Sequence, residues 1–221
     1  MSVDTATALT GITTVVFDID GTLLDSAAGI LAGFQRALVA GGVDAPAEHE
    51  LRVHLGPPLQ DFLLTAGVAP ARLPGAAQAY HDFYLAEGIW QAAPYDGIVP
   101  LLDRLTAAGY RLATASAKRT GTAQAIVTAH GLAPYFEVIG GTDQSRRTKA
   151  ETLAFVSAEL GSDPAETVMI GDRHHDIEGA HACGIRAVGV RWGYGVDDEL
   201  VRAGADWLLD EVTELGRLLG V

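Results

Sequence analysis

In the stretch Val15–Asp25, VVFDIDGTLLD, an apolar run ends in three carboxylates within eight positions. Asp18 and Asp20 stand at i and i+2, and on an extended segment such residues project to the same side. Both can therefore address one reacting group, one carboxylate attacking while the other serves the departing oxygen. Three more segments carry similar potential: Ser116 and Lys118 in SAKRT, Lys149 in RRTKAE, and Asp172 in MIGDRHHD. Singly these are ordinary residues, since an aspartate after a strand is usually a turn former or helix cap. If the fold gathers them, three carboxylates, a hydroxyl and two lysines form a set able to attack, move a proton and hold a hard cation.

The elements that would gather them follow from periodicity. Thr13–Phe17 is β-branched or aromatic and reads as a short buried strand ending at Asp18. Ser26–Val39 has helical spacing and is stopped by Gly41-Gly42, Gly56-Pro57-Pro58 opens a second helix, and Ala76–Ala86 reads as a third. Residues 26 to 92 are thus expected to be all-helical. Helices then alternate with strands: Ile98–Ala108, strand Tyr110–Ala115, Thr122–His130, strand Phe136–Ile139, Lys149–Leu160, strand Thr167–Ile170, Asp176–Cys183 and strand Ile185–Val190. This alternation predicts an α/β fold with a doubly wound parallel sheet, in which ligands bind beyond the carboxyl ends of the strands. Each candidate residue follows a predicted strand or opens a neighbouring helix.

Four of these segments, in this order, resemble the motifs of the haloacid dehalogenase-like (HAD) hydrolases: VVFDIDGTLLDS the first (DxDGT), LATAS ending at Ser116 the second, Lys149 the third, and MIGDRHHD the fourth (GDxxxD). HLGPPLQDF, SAKRT and VGVRWGYG are similar to the phosphoglycolate phosphatase/5′-nucleotidase branch. Ser145-Arg146-Arg147 and Ala117-Lys118-Arg119 depart from it, in place of a more acidic, glycine-containing run and of a proline after Lys118. The resemblance implies a HAD-like, Rossmannoid core at residues 1–24 and 94–221, with a small helical cap domain inserted at 25–93 and hinges at Leu23–Asp25 and Ala93–Asp96.

The expected activity is a Mg2+-dependent phosphatase acting on a small phosphorylated metabolite such as phosphoglycolate, a nucleotide or a sugar phosphate. A phosphate monoester is a dianion and a carboxylate nucleophile is also negative, so a magnesium ion on hard oxygens must cancel the repulsion. Asp18 and Asp172 would supply carboxylates to it and Asp20 its main-chain carbonyl. Asp18 would be the nucleophile, forming an aspartyl-phosphate, and Asp20 the general acid and then base. Ser116 would hydrogen-bond a phosphoryl oxygen, Lys149 would neutralise charge, and Asp176 would orient a water on the metal or Lys149. Gly21 permits the turn after the aspartates, and Gly21 and Ala117 join Arg52 and His54 of the cap as candidates to face the substrate. Phe62, Tyr80, Phe83 and Tyr84 are read as the cap's own core, and Asp25 as a hinge or capping residue. His174 and His175 would suit a transition metal, but imidazole is a poor magnesium ligand and local hydrogen bonding is the expected role. Trp192 and Tyr194 are expected to pack or shape the rim.

Neighbouring chemistries are excluded or set apart. Haloalkanoate dehalogenation in the family lacks the acid at the position of Asp20, and phosphonate cleavage needs a cap lysine that residues 26 to 92 do not contain. The alternatives are a phosphosugar mutase, against which Thr22 speaks because family mutases resemble DxDGV, and a non-catalytic metabolite-binding regulatory protein. A net charge of −13 disfavours a nucleic-acid partner. Cys183 is the single cysteine, which rules out an internal disulfide or a thiolate metal cluster. MSVDTATALTG has no basic region before an apolar run, and no window is long and apolar enough to span a membrane. A cytoplasmic protein without membrane association, monomeric or homodimeric, is expected.

Overall fold

The computed structural model describes residues 9–196 and 198–221; most of the N-terminal stretch inspected above for a leader lies outside them. The chain divides into two compact units, one comprising Met1–Leu24 and Pro94–Val221 and the other Asp25–Ala93.

The first unit is built on six parallel strands: β1 (Thr14–Phe17), β4 (Arg111–Arg119), β5 (Val138–Thr142), β6 (Thr167–Gly171), β7 (Arg186–Val190) and β8 (Trp207–Leu209). Their order is β5-β4-β1-β6-β7-β8. Sequence order runs outward from β1 in both directions, so the sheet is doubly wound and its switch point lies at β1, where such sheets bind ligands. Register places Phe17 beside Thr114 on one side and Ile170 on the other. Val15, Val16 and Phe17 are fully buried, as expected of a central strand covered on both faces. Helices α5 (Ile98–Ala107), α6 (Thr120–Ala129), α7 (Lys149–Leu160), α8 (His174–Ala182), α9 (Glu199–Arg202) and α10 (Val212–Leu219) complete the unit. Part of the core joins Val16, Ala113, Met169 and Ala187 of the sheet to Leu153 and Val156 of α7 and Ile177 and Ala180 of α8.

The second unit is all-helical among its described elements: α1 (Ala27–Gly41), α2 (Glu48–Leu51), α3 (Leu59–Thr65) and α4 (Leu73–Ala86). Phe34 of α1 stacks on Phe62 of α3 at 4.0 Å between ring centres, and Tyr80 lies parallel to Tyr84 at 5.4 Å. Those rings form the unit's core, whereas Phe83 is only half-buried, beneath the Arg36 guanidinium. Asp25 accepts the amide of Ala27 at 3.3 Å, a local side-chain-to-backbone bond from the residue before the N-cap, Ser26, to the first residue of α1. Where the chain passes between units, β2 (Leu24–Asp25) and β3 (Ala93–Pro94) form a two-stranded sheet.

The structure departs from the periodicity in places. β4 runs four residues past Ala115 through a register irregularity, because Arg119 pairs with Thr142 of β5 once the register has shifted. β8 and α10 follow the last predicted strand. Trp207–Leu209 is too short, between Asp206 and Asp210, for alternation to reveal it. Among the described residues no helix is long and apolar enough to cross a membrane.

Candidate active site

Beyond the carboxyl end of β1 the chain folds into a tight loop, with the amides of Leu23 and Leu24 both donating to the carbonyl of Ile19. The Asp18 amide donates to the Ile170 carbonyl at 2.8 Å, which ties the loop to the end of β6 and brings Asp18 toward Asp172. Gly21 has φ +80°, a left-handed conformation, and a Cβ there would lie 2.2 Å from Asp172 Oδ2. Only glycine meets both conditions. Gly21→Ala is therefore expected to displace the Asp172 carboxylate and weaken divalent-cation binding by roughly ten- to hundredfold, read by isothermal titration; unchanged affinity would contradict this geometry.

Asp18, Asp172 and Asp176 are buried, and each places one carboxylate oxygen within 4.8 Å of the others. This is the one such acidic group among the described residues that could hold a metal ion. Asp172 is held from two sides: Thr22 Oγ1 donates to Oδ1 at 3.2 Å and the Tyr194 amide to Oδ2 at 2.7 Å. Trp192 Nε1 donates to the Thr22 carbonyl at 3.1 Å, so the VGVRWGYG segment braces both loops.

Lys149 is the first residue of α7, whose start is set by a reciprocal capping box between Thr148 and Glu151. Its ammonium donates to the Ala115 carbonyl at 2.7 Å and pairs with Asp18 Oδ1 at 3.0 Å and Asp176 Oδ1 at 2.7 Å. Asp176 Oδ2 accepts the Arg173 amide, holding the turn after Asp172. Ser116 is buried and accepts the Lys118 amide at 3.2 Å. Ala117, half-buried beside it, gives its carbonyl to Thr142 Oγ1.

Electrostatics follow from this crowding. Burial raises the Asp18 carboxyl to about 6, opposed by the Lys149 ammonium and reinforced by Asp176 and Asp20. Asp172 is raised well above the usual carboxylate range by burial and by Asp176 and Asp18. Lys149 is held above its ordinary value: burial opposes its charge, but Asp176 and Asp18 outweigh that. Negative charge is in excess among hard oxygen donors, which fits a small hard divalent cation.

Asp18, Asp20, Ser116, Lys149, Asp172 and Asp176 thus all lie in the first unit near the strand ends. Arg52 and His54 belong to the second unit, on one short 3-10 turn; Arg52 is exposed, and His54 is half-buried against Phe62. His174 and His175 pack edge to face, and burial and the nearby Lys149 lower His175 to about 3, so it is neutral. Sequence reasoning missed the buried Arg173–Glu199 pair: Arg173 Nε meets Glu199 Oε1 at 2.7 Å, and the same oxygen accepts the His174 amide. Burial acts against the Glu199 charge, yet Arg173 and the amides lower its carboxyl to about 2.

The family model for haloacid dehalogenase-like hydrolases matches residues 15–190. The chain belongs to that family. It is 42% identical over 212 residues to the tyrosine-protein kinase PtkA of Mycobacterium tuberculosis, covering 94% of this chain and 72% of PtkA. It is 35% identical over 189 residues to the 5′-nucleotidase of Pseudomonas aeruginosa, covering 84% and 86% of the two chains. A predicted phosphatase from Clostridium acetobutylicum superposes with TM-score 0.88 at 31% identity, covering 95% and 99%. Other relatives of this HAD enzyme are named phosphoglycolate phosphatase, in keeping with the branch expected from the motifs.

Proposed function

We propose that this HAD-family enzyme is a magnesium-dependent phosphatase that hydrolyses a small phosphomonoester through an aspartyl-phosphate on Asp18. The observation that carries this reading is the buried cluster of Asp18, Asp172 and Asp176 beside the Lys149 ammonium. Asp18 and Asp172, with the Asp20 carbonyl, would hold the ion, and a bound magnesium would cancel the repulsion between nucleophile and phosphoryl dianion. Asp18 attacks phosphorus. Lys149 stays charged and neutralises the carboxylate and the transferring group, while Ser116 fixes a phosphoryl oxygen. Asp20 gives a proton to the leaving alkoxide and takes one from the water that hydrolyses the intermediate. Asp176 keeps Lys149 aimed. The helical unit acts as a cap that excludes water, with Arg52 and His54 selecting the substrate.

Hydrolysis of p-nitrophenyl phosphate should stop on adding EDTA and return with magnesium; metal-independent turnover would sink the proposal. A panel of phosphoglycolate, nucleoside monophosphates and sugar phosphates, ranked by kcat/KM, names the substrate class. Free phosphate from glucose 1-phosphate supports a hydrolase, and isomerised sugar phosphate a mutase.

The 42% identity to PtkA favours a second reading, phosphoryl transfer to a protein tyrosine. Label moving from γ-labelled ATP to a tyrosine-containing polymer would select it.

A further inference from the structure

The ion pair between Lys118 and Asp20 is not used by the mechanism above. Lys118 Nζ lies 3.0 Å from Asp20 Oδ2, with the two side chains only 10% and 12% exposed. This is not a solvated surface lysine. We infer that Lys118 is a positioning residue, which holds the Asp20 carboxylate in the orientation needed to exchange protons with the leaving oxygen and the attacking water. The inference rests on the reading of Asp20 as general acid and base.

Two independent observations support it. The first is composition: of the chain's 15 basic residues, Lys118 and Lys149 are the only lysines, and all the rest are arginine. Lysine thus occurs only where an ammonium pairs with an aspartate of the first motif, Asp18 for Lys149 and Asp20 for Lys118. A compact ammonium fits among close carboxylates where a planar guanidinium fork does not.

The second is the backbone that aims the side chain. β4 shifts register between Ala115 and Arg119, and irregularities of this kind re-aim side chains beside active sites. The displaced segment is then fastened on both sides of Lys118. Its own amide donates to Ser116 Oγ, Thr142 Oγ1 donates to the Ala117 carbonyl, and Thr120 Oγ1 donates to the Thr142 carbonyl. β5 approaches so closely that a Cβ on Gly141 would lie 2.6 Å from the Lys118 carbonyl. The same segment therefore presents the Ser116 hydroxyl and directs the Lys118 ammonium onto the general acid.

A double-mutant cycle in the magnesium-loaded full chain, with p-nitrophenyl phosphate as substrate, tests the inference. Lys118→Met should lower kcat by roughly 10–100-fold, the usual loss when an outer partner of a reacting group is removed, with KM within about twofold of the parent. Because Lys118 acts through Asp20, Asp20→Asn/Lys118→Met should be no slower than Asp20→Asn alone. Multiplying losses, an unimpaired Lys118→Met, or a raised KM with unchanged kcat would each overturn it, the last by making Lys118 a substrate contact. A second measurement needs no activity. With ε-13C-lysine the chain gives two lysine signals; Lys118→Met deletes one, and Asp20→Asn should move that one and leave the other in place. A Lys118 signal indifferent to Asp20→Asn overturns the inference. An Asp20→Asn enzyme at full speed overturns the general acid-base reading, whatever the lysine signals show. Should Lys118→Met fail to fold, Lys118→Gln takes its place in both measurements.

Discussion

Replacing Asp18 by asparagine is expected to abolish hydrolysis while raising the melting temperature of the metal-free protein. The first effect follows from removing the nucleophile, and kcat should fall by at least about 10⁴-fold, the scale of nucleophile deletions in covalent catalysis. The second follows from the raised pKa. Asp18 titrates near 6 in the folded chain against an ordinary 3.8, because burial and neighbouring carboxylates disfavour its charge more than Lys149 favours it. A carboxylate raised in this way contributes its full stability below the unfolded value and loses it as pH climbs through the folded value. At neutral pH the metal-free parent therefore carries a penalty on the order of 2–3 kcal/mol, which asparagine lacks. For a chain of this length each kcal/mol moves the melting temperature by roughly 2–4 °C. Thermal melts in EDTA should show the variant more stable by several degrees at pH 7, with the gap closing toward pH 4. Adding magnesium should reverse the order, since the ion binds the parent's folded state more tightly and stabilises it by mass action. A variant less stable than its parent in EDTA at pH 7 would contradict the assigned electrostatics, and one that still turns over would reassign the nucleophile.

Much of this site was readable because strand ends and carboxylates announce themselves locally. VVF followed by Asp18-Ile19-Asp20-Gly21 states a buried strand, two same-side carboxylates and a turn in seven residues, and the structure gives Gly21 the left-handed backbone that the turn requires. Alternating helices and strands pointed to the parallel sheet, and the motif order put Ser116 and Asp172 after predicted strands and Lys149 at the start of a neighbouring helix. What stayed hidden is what depends on partners distant in sequence. Nothing around Lys118 signals Asp20, 98 residues away, until β4 is seen lying beside β1. Glu199 looks like one of many surface acids in an acidic chain, yet it is buried against Arg173 because α9 folds back over the turn after β6. Trp192 and Tyr194 read as residues that pack or shape the rim, whereas the backbone of this run also grips Asp172, through the Tyr194 amide.

Lys149→Met is expected to cost both stability and turnover, and for one reason. The ammonium is the cation at the centre of Asp18, Asp176 and the Ala115 carbonyl, with its side chain 3% exposed. Removing one partner of a buried ionic network leaves the others uncompensated, at a typical cost of about 3–5 kcal/mol. Here three buried carboxylates would remain, two of them already raised above their ordinary range by burial and one another. Lysine's own shift has the complementary sign: a cation held above its usual 10.5 contributes fully at neutral pH and loses its contribution only in strong alkali. The penalty in the variant should therefore be largest near pH 7 and should shrink as acid protonates Asp18 and Asp172, a dependence that denaturant melts at pH 5 and pH 7.5 would reveal. Magnesium should recover part of the stability, because it too neutralises the cluster, but not the turnover, because it cannot stand where the ammonium meets the nucleophile. Lys149→Arg sharpens the point. It restores the charge, but a Cβ on Gly179 would lie only 2.9 Å from the Lys149 side chain, so α8 presses on this stem and leaves little freedom to re-seat a planar guanidinium. An arginine variant with near-parental kcat would show that charge alone suffices and that the three-donor geometry of the ammonium is dispensable.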